Sequence, residues 1–329
     1  MGVIIVTYDV DEILRRIDQR IAEIDQISNY CVPSKEIFNE IEEKIDNLQD
    51  NIKSIYNQYM NKLDKLVGLE EVKSEIKKLV DYLIFIRKVG SKINIDKINL
   101  NMIFRGNPGT GKTTVAKIVA EILCKLGFLK SNKVIETTPR DFIAGYVGQT
   151  AIKAKKTIES AAGGVIFIDE AYTFSQSKDE DGHTFVYEAI TEIIKEMETL
   201  NTVFIFSGYS SKMDDFIELN PGIKSRIGYD INFKDYTKEE LFTMFNNKVN
   251  KSGMKLSSDA KNVLLEKISE YMTKKNFGNG RMIDNLFNEI IREHASNSLL
   301  ETDNEKLLLI KEDSIRKIKV KNEGGMSLG

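Results

Sequence analysis

The chain has 329 residues, 41 % hydrophobic and 29 % charged, an ordinary balance for a globular protein long enough for two compact domains plus an appendage. A net charge of −3 gives no bulk attraction to nucleic acid or anionic membrane, and no apolar run reaches spanning length. Cys31 and Cys124 cannot build a disulfide framework, and no basic segment precedes the short apolar run Val3-Ile4-Ile5-Val6, so a cytoplasmic setting without membrane attachment is expected. His183 and His294 lie far apart and flank no cysteine, which argues against zinc.

After a short apolar start, Ile13, Ile17, Ile21, Ile24 and Ile27 recur at helical spacing. Pro33 interrupts, and a second stripe follows at Ile37, Ile41, Ile45, Leu48, Ile52, Ile55 and Tyr59. Two amphipathic helices on a polar background read as a helical hairpin or coiled coil over residues 1–62. Such a hairpin either packs on its own body or serves as a docking or assembly arm, and the stripes alone do not choose. A broader stripe at Leu69, Val72, Ile76, Leu79, Val80 and Leu83 then predicts a helix ending near Gly90.

From Leu100 the chain alternates strand and helix. Strands are predicted at Leu100–Arg105, Val134–Thr137, Val165–Ile168, Thr202–Phe206 and Tyr229–Phe233, with the acidic segment Lys178–Gly182 read as a loop. The uninterrupted apolar run Val165-Ile166-Phe167-Ile168 suits a strand buried on both faces. The class expected is α/β, a parallel three-layer sheet domain over 63–235. Beyond Tyr236 strand signals end, and capping-box spacing at Thr237 and Glu240 opens a small all-helical domain over 236–319, with 320–329 as a flexible tail.

The chemistry begins at Gly106-Asn107-Pro108-Gly109-Thr110-Gly111-Lys112-Thr113, set between a strand and a helix that starts near Lys112 and continues through Thr114. Glycines let the backbone wind tightly and aim N–H groups at an anion, and the helix adds its positive end. Lys112 would reach the β- and γ-phosphates of ATP and Thr113 would ligate Mg²⁺. A plain glycine turn explains the glycines but not the adjacent Lys112-Thr113. Asp169-Glu170 closes a buried strand: Asp169 would hold Mg²⁺ through its water shell and Glu170 would activate the attacking water. A small-molecule kinase would not need that glutamate, so hydrolysis to ADP and phosphate is favoured.

The segments Gly106–Thr113, Val165–Glu170, Asn220–Arg226 and Gly278–Arg281 together resemble an AAA+ ATPase with Walker A and Walker B motifs. The phrases Val67-Gly68-Leu69-Glu70-Glu71-Val72-Lys73, Tyr146-Val147-Gly148-Gln149-Thr150 and Ile168-Asp169-Glu170-Ala171-Tyr172 are similar to the branch of stage V sporulation protein K, red-type Rubisco activases and type VII secretion ATPases. The likeness spans roughly Leu66 to Asn297. It implies a hexameric ring with ATP at subunit interfaces, Arg226 as an arginine finger toward a neighbour, and Arg281 as the lid arginine acting within its own subunit. Lys224 stands where relatives often carry a second arginine. Tyr209 falls near the sensor-1 position, with Ser207 as competitor, and Val67 and Gly68 resemble the adenine-side contact. Tyr146-Val147-Gly148 resembles a pore loop that grips extended polypeptide.

The function expected is therefore an ATP-driven motor that remodels or threads a protein partner, with the N-terminal helices recruiting it. Two alternatives are a nucleic-acid loader or initiator, disfavoured by charge, and a nucleotide-dependent assembly scaffold, disfavoured by the intact catalytic set. The sequence names no client.

Overall fold

The computed structural model describes residues 52–89, 98–146, 148–176, 180–199 and 202–320. Most of the expected N-terminal hairpin, the tail and Val147 lie outside the described residues. In chain order, helix α1 (residues 52–64) is followed by α2 (Glu70–Val89), β1 (Met102–Gly106), α3 (Lys112–Lys125), β2 (Val134–Thr137), α4 (Thr150–Glu159) and β3 (Val165–Ile168). Then come α5 (Glu180–Glu196), β4 (Val203–Gly208), α6 (Ser210–Glu218), α7 (Pro221–Lys224) and β5 (Tyr229–Phe233).

The five strands form one sheet in the order β2-β3-β4-β1-β5, and every pairing is parallel. The sheet is sandwiched because its side chains alternate between two cores. Met102, Phe104, Val165, Phe167, Val203 and Ile205 face the core shared with α1, α2 and α3. Ile103, Ile166, Ile168, Phe204 and Phe206 face the opposite core, where Ala154, Ile158, Ile190 and Phe216 pack. This is the three-layer α/β architecture expected from the apolar runs.

Parallel strands put all their carboxyl ends on one edge, where ligands bind in open α/β sheets. The loops after β1, β3 and β4 leave from that edge.

After Tyr236 a third core forms from α8 (Lys238–Lys251), α9 (Ser258–Met272) and α10 (Asn279–Asn297), closed by α11 (Asn304–Leu307) and α12 (Glu312–Arg316). The capping box at its entry is real: Glu240 N donates to Thr237 Oγ1 at 3.2 Å, and Thr237 N donates to Glu240 Oε2 at 2.7 Å. The helices are accompanied by one parallel pairing, β6 (Lys255–Leu256) with β7 (Leu309–Ile310). Two-residue strands carry no periodicity to read.

Three local expectations shift. Glu180, Asp181 and Gly182, read as loop, already belong to α5. Acidic residues suit a helix's first turn, whose N–H groups lack helical acceptors. Gly278–Arg281, whose glycines suggest a turn ahead of a helix, instead makes the N-cap and first turn of α10. Helix α1 runs across the boundary drawn at residue 62, with Tyr59 and Leu63 only 2 % and 1 % exposed in the core beneath α3.

Candidate nucleotide site

Strand β1 ends at Gly106 and α3 begins at Lys112, so the glycine-bearing loop lies at the sheet's carboxyl edge. Gly111, the N-cap of α3, has φ 94°, a left-handed conformation that glycine adopts without penalty. The loop is internally braced, since Thr110 Oγ1 donates to the Asn107 carbonyl at 2.8 Å. Lys112 Nζ donates to the carbonyls of Gly106 and Asn107, both at 2.8 Å.

Burial, with Arg281 acting in the same direction, pushes the Lys112 pKa down to about 8 against the opposing charges of Asp169 and Asp235. A partly desolvated cation set among one cationic and two anionic neighbours is prepared for additional negative charge.

Asp169 and Glu170 emerge where β3 ends. Asp169 Oδ1 accepts from Ser207 Oγ at 2.9 Å and from Glu170 N at 3.0 Å. The first bond reaches across to β4, so neighbouring parallel strands fix the aspartate. Glu170 has φ 53°, a left-handed geometry that costs a non-glycine residue energy, of order 1–2 kcal/mol. Its carboxylate is exposed on the wall of the cavity. Burial, reinforced by the negative charge of Glu170, pushes the Tyr172 pKa up to about 12. Tyr172 packs on Tyr209 with ring centroids 5.6 Å apart, and Lys212 Nζ sits 4.6 Å from the Tyr172 ring centre.

One cavity of about 450 Å³ gathers Lys112, Thr113, Asp169, Glu170, Tyr209 and Arg281. Pro108, Gly109, Gly111, Thr114 and Val67 also line it. Gly68 (φ 61°) shapes the approach to α2 and faces Glu240 rather than the cavity wall. Asn107 turns its side chain to Asp235, and Thr110 is fully buried. Thr113 and Asp169 present hard oxygen donors of the kind Mg²⁺ takes. Between the two sensor-1 candidates, Ser207 is the one bonded to Asp169, whereas Tyr209 sits at the N-cap position of α6 and packs its ring at a tilt against Tyr172.

Arg226 is not in this cavity. It ends the α7 turn, donating from Nη1 to the Gly222 carbonyl at 2.9 Å and to Ser225 Oγ at 3.1 Å, and it pairs with Glu198. Its Nε is buried without a hydrogen-bond partner among the described residues. Lys224 is exposed on the same short helix.

Tyr146 is also remote from the cavity, 74 % exposed on the loop before α4. The base of that loop is pinned: Ala144 N donates to the buried Thr150 Oγ1 at 3.2 Å, and Lys153 Nζ donates to the Ile143 carbonyl at 2.7 Å.

Sequence reasoning gave no role to Asp235, Tyr236 or Asn279, although all three touch the loop or its neighbours. Tyr236 Oη donates to the Thr110 carbonyl at 3.2 Å. Thr237 and Glu240 flagged a helix start nearby, but nothing local marked these contacts.

The model of the ATPase family associated with various cellular activities (AAA) matches residues 102–235, and the AAA lid domain model matches residues 237–323. A protein named CfxQ homolog from Galdieria sulphuraria is 36 % identical over 85 % of this chain and 94 % of its own length. Stage V sporulation protein K of Bacillus subtilis is 34 % identical over 75 % of this chain and 77 % of its own length. The ESX-1 secretion system protein EccA1 of Mycobacterium leprae is 39 % identical, though the match spans 37 % of that protein. Among solved structures, a Thermotoga maritima RuvB mutant superposes with TM-score 0.52 at 17 % identity, covering 78 % of this chain and 70 % of that one, a likeness of fold alone.

Proposed function

The chain belongs to the AAA family of ATPases, and we propose that it acts as a ring-forming motor that uses ATP and Mg²⁺ to remodel a protein partner. The observation that carries the reading is the convergence of Lys112, Thr113, Asp169, Glu170 and Arg281 on one cavity of about 450 Å³. In this reading Lys112 holds the β- and γ-phosphates, Thr113 and Asp169 hold the metal, and Glu170 takes the proton of the attacking water. Bound Mg²⁺ neutralises charge on the phosphates; the chain's own part is to position them and the water. Val67 borders the adenine end.

Arg226 completes the site of an adjacent subunit in a homo-hexamer. To do so its guanidinium exchanges Glu198 for a neighbour's phosphate, a substitution of one anion for another. Tyr146, at 74 % exposure between Gly145 and Gly148, is the residue that meets the client as an extended segment. A relative from Cyanidioschyzon merolae named ribulose bisphosphate carboxylase/oxygenase activase, 36 % identical over 79 % of this chain and 90 % of its own length, has a protein target in its name and favours a protein client over nucleic acid. The residues before 52 supply the docking or assembly arm. The ATPase body spans residues 63–235, with α1 from residue 52 packed into its core, and its lid spans 236–319.

The test uses Glu170→Gln, which keeps ATP bound while slowing hydrolysis by about 10²-fold or more. This variant, held in ATP, should retain client protein, and adding Tyr146→Ala should release it. Retention that survives Tyr146→Ala would remove the threading role.

A further inference from the structure

Asn107, Asp235 and Asn279 are far apart in sequence and meet beside the phosphate loop. Asn107 Nδ2 donates to Asp235 Oδ1 at 3.0 Å and Oδ2 at 2.9 Å. Asn279 Nδ2 donates to the same Asp235 Oδ1 at 2.7 Å and to the Pro108 carbonyl at 3.3 Å. Asn279 Oδ1 accepts the Tyr236 backbone N–H at 3.0 Å. Thus the carboxylate of one linker residue is shared between the loop that receives phosphate and the first residue of α10.

The chemistry at 279 is narrow. The side chain is 1 % exposed, so each polar atom needs a protein partner, and the amide finds one for both ends. Leucine would take one of its two donors from Asp235 Oδ1 and leave the Tyr236 N–H without its acceptor. Aspartate would set a second carboxylate against the first. The backbone at 279 has φ 45°, which asparagine tolerates better than other side-chain-bearing residues.

The junction is reinforced where Gly280 N donates to the Gly109 carbonyl at 3.0 Å. Arg281 follows at once, beside Lys112 on the same cavity. Two cations side by side repel, so a fixed anchor is needed to keep the α10 end against the loop.

We propose that Asp235 is a positioning residue that joins the phosphate loop to the start of α10 and thereby holds Arg281 in place over the nucleotide. The inference rests on reading Arg281 as an ATP contact. Asp235 touches no substrate; it acts through Arg281, and any movement of the loop on binding nucleotide is handed to the lid through Oδ1, the oxygen that Asn107 and Asn279 share.

The test is a double-mutant cycle on the full chain, read as steady-state ATP hydrolysis. Asp235→Asn keeps the size of the side chain but loses the charge, and whichever way its amide turns, the N–H₂ faces the Asn107 donor. It should lower kcat by about tenfold to a hundredfold, the scale of a misplaced catalytic contact, with a smaller change in KM. Arg281→Ala should lower kcat at least as much. The double variant should fall no further than Arg281→Ala alone, because both remove the same interaction. Losses that multiply would overturn the positioning role while leaving Arg281 as an ATP contact. A wild-type kcat in Arg281→Ala would instead overturn the reading beneath it. Should Asp235→Asn lose cooperative unfolding, Asn107→Ala, which cuts only the partly exposed loop side, takes its place in the cycle: non-additive losses support the positioning role and multiplying losses overturn it.

Discussion

Two glycine-bearing loops leave the sheet's upper edge, and they use glycine for opposite reasons. In the loop 106–111 the space a side chain would fill is already taken. A Cβ on Gly109 would lie 2.1 Å from the Gly278 carbonyl oxygen and 2.9 Å from Arg281 N. In the loop that carries Tyr146, a Cβ on Gly145 or Gly148 would meet nothing within 4 Å. The first loop needs glycine so that a second element can dock on it; the second is open all round. One loop is held against a second element, and the other stands clear of its neighbours. Identical residue types in sequence therefore conceal contrasting physics.

The contrast is breakable by substitution, and the largest effect is expected at Gly109. Gly109→Ala adds a clash to a backbone at φ 75°, so α10 must lift from the loop. ATP turnover should fall by about 10²-fold or more, in line with displacing a positioned group. Phosphate release assays measure it, and turnover near the wild-type rate would mean that the lid need not dock on the loop.

The next effect is on affinity. The Lys112 pKa, held at about 8, lies below its unfolded value of 10.5. The folded protein therefore disfavours the charged amine below pH 8 and regains stability as pH rises from about 8 toward 10.5, where the unfolded chain still holds the proton. Bound polyphosphate restores the charge, so ADP binding takes up a proton in that window. Affinity should be flat below pH 8 and weaken above it by up to about tenfold per pH unit, as calorimetric titration from pH 7 to 9.5 would record. A flat affinity across that range would place the phosphates away from Lys112.

The smallest effect belongs to the open loop. Gly145→Ala should leave basal ATP turnover unchanged and shift unfolding stability by less than about 0.5 kcal/mol. A larger destabilisation by thermal melting would show that the loop is packed, and the contrast between the two loops would fail.

These contrasts also explain what could be read from the amino-acid string alone. The phosphate loop and Asp169-Glu170 are contiguous strings whose chemistry follows from adjacency. The apolar runs Val165–Ile168 and Val203–Phe206 announced a sheet covered on both faces, as observed. Asp235 was invisible because its partners stand 128 residues away at Asn107 and 44 away at Asn279. Only the folded chain brings one carboxylate to both. Ser207 presented a similar difficulty: its bond to Asp169 crosses between β3 and β4, and the register of those strands decides whether Ser207 or Tyr209 faces the aspartate.

Helix α1 has a mechanical consequence. Tyr59 and Leu63 are embedded in the core beneath α3, and Lys62 is paired with Glu121 on that helix. The first turn of α3 bears Lys112 and Thr113. A pull exerted on the chain ahead of residue 52 is thus borne by side chains seated against the nucleotide helix itself. Trimming to residue 60 would remove Tyr59 and leave a void in the hydrophobic layer, whereas trimming to residue 52 would keep that foundation intact. Whatever load the preceding segment carries, it is anchored on the element that bears Lys112 and Thr113.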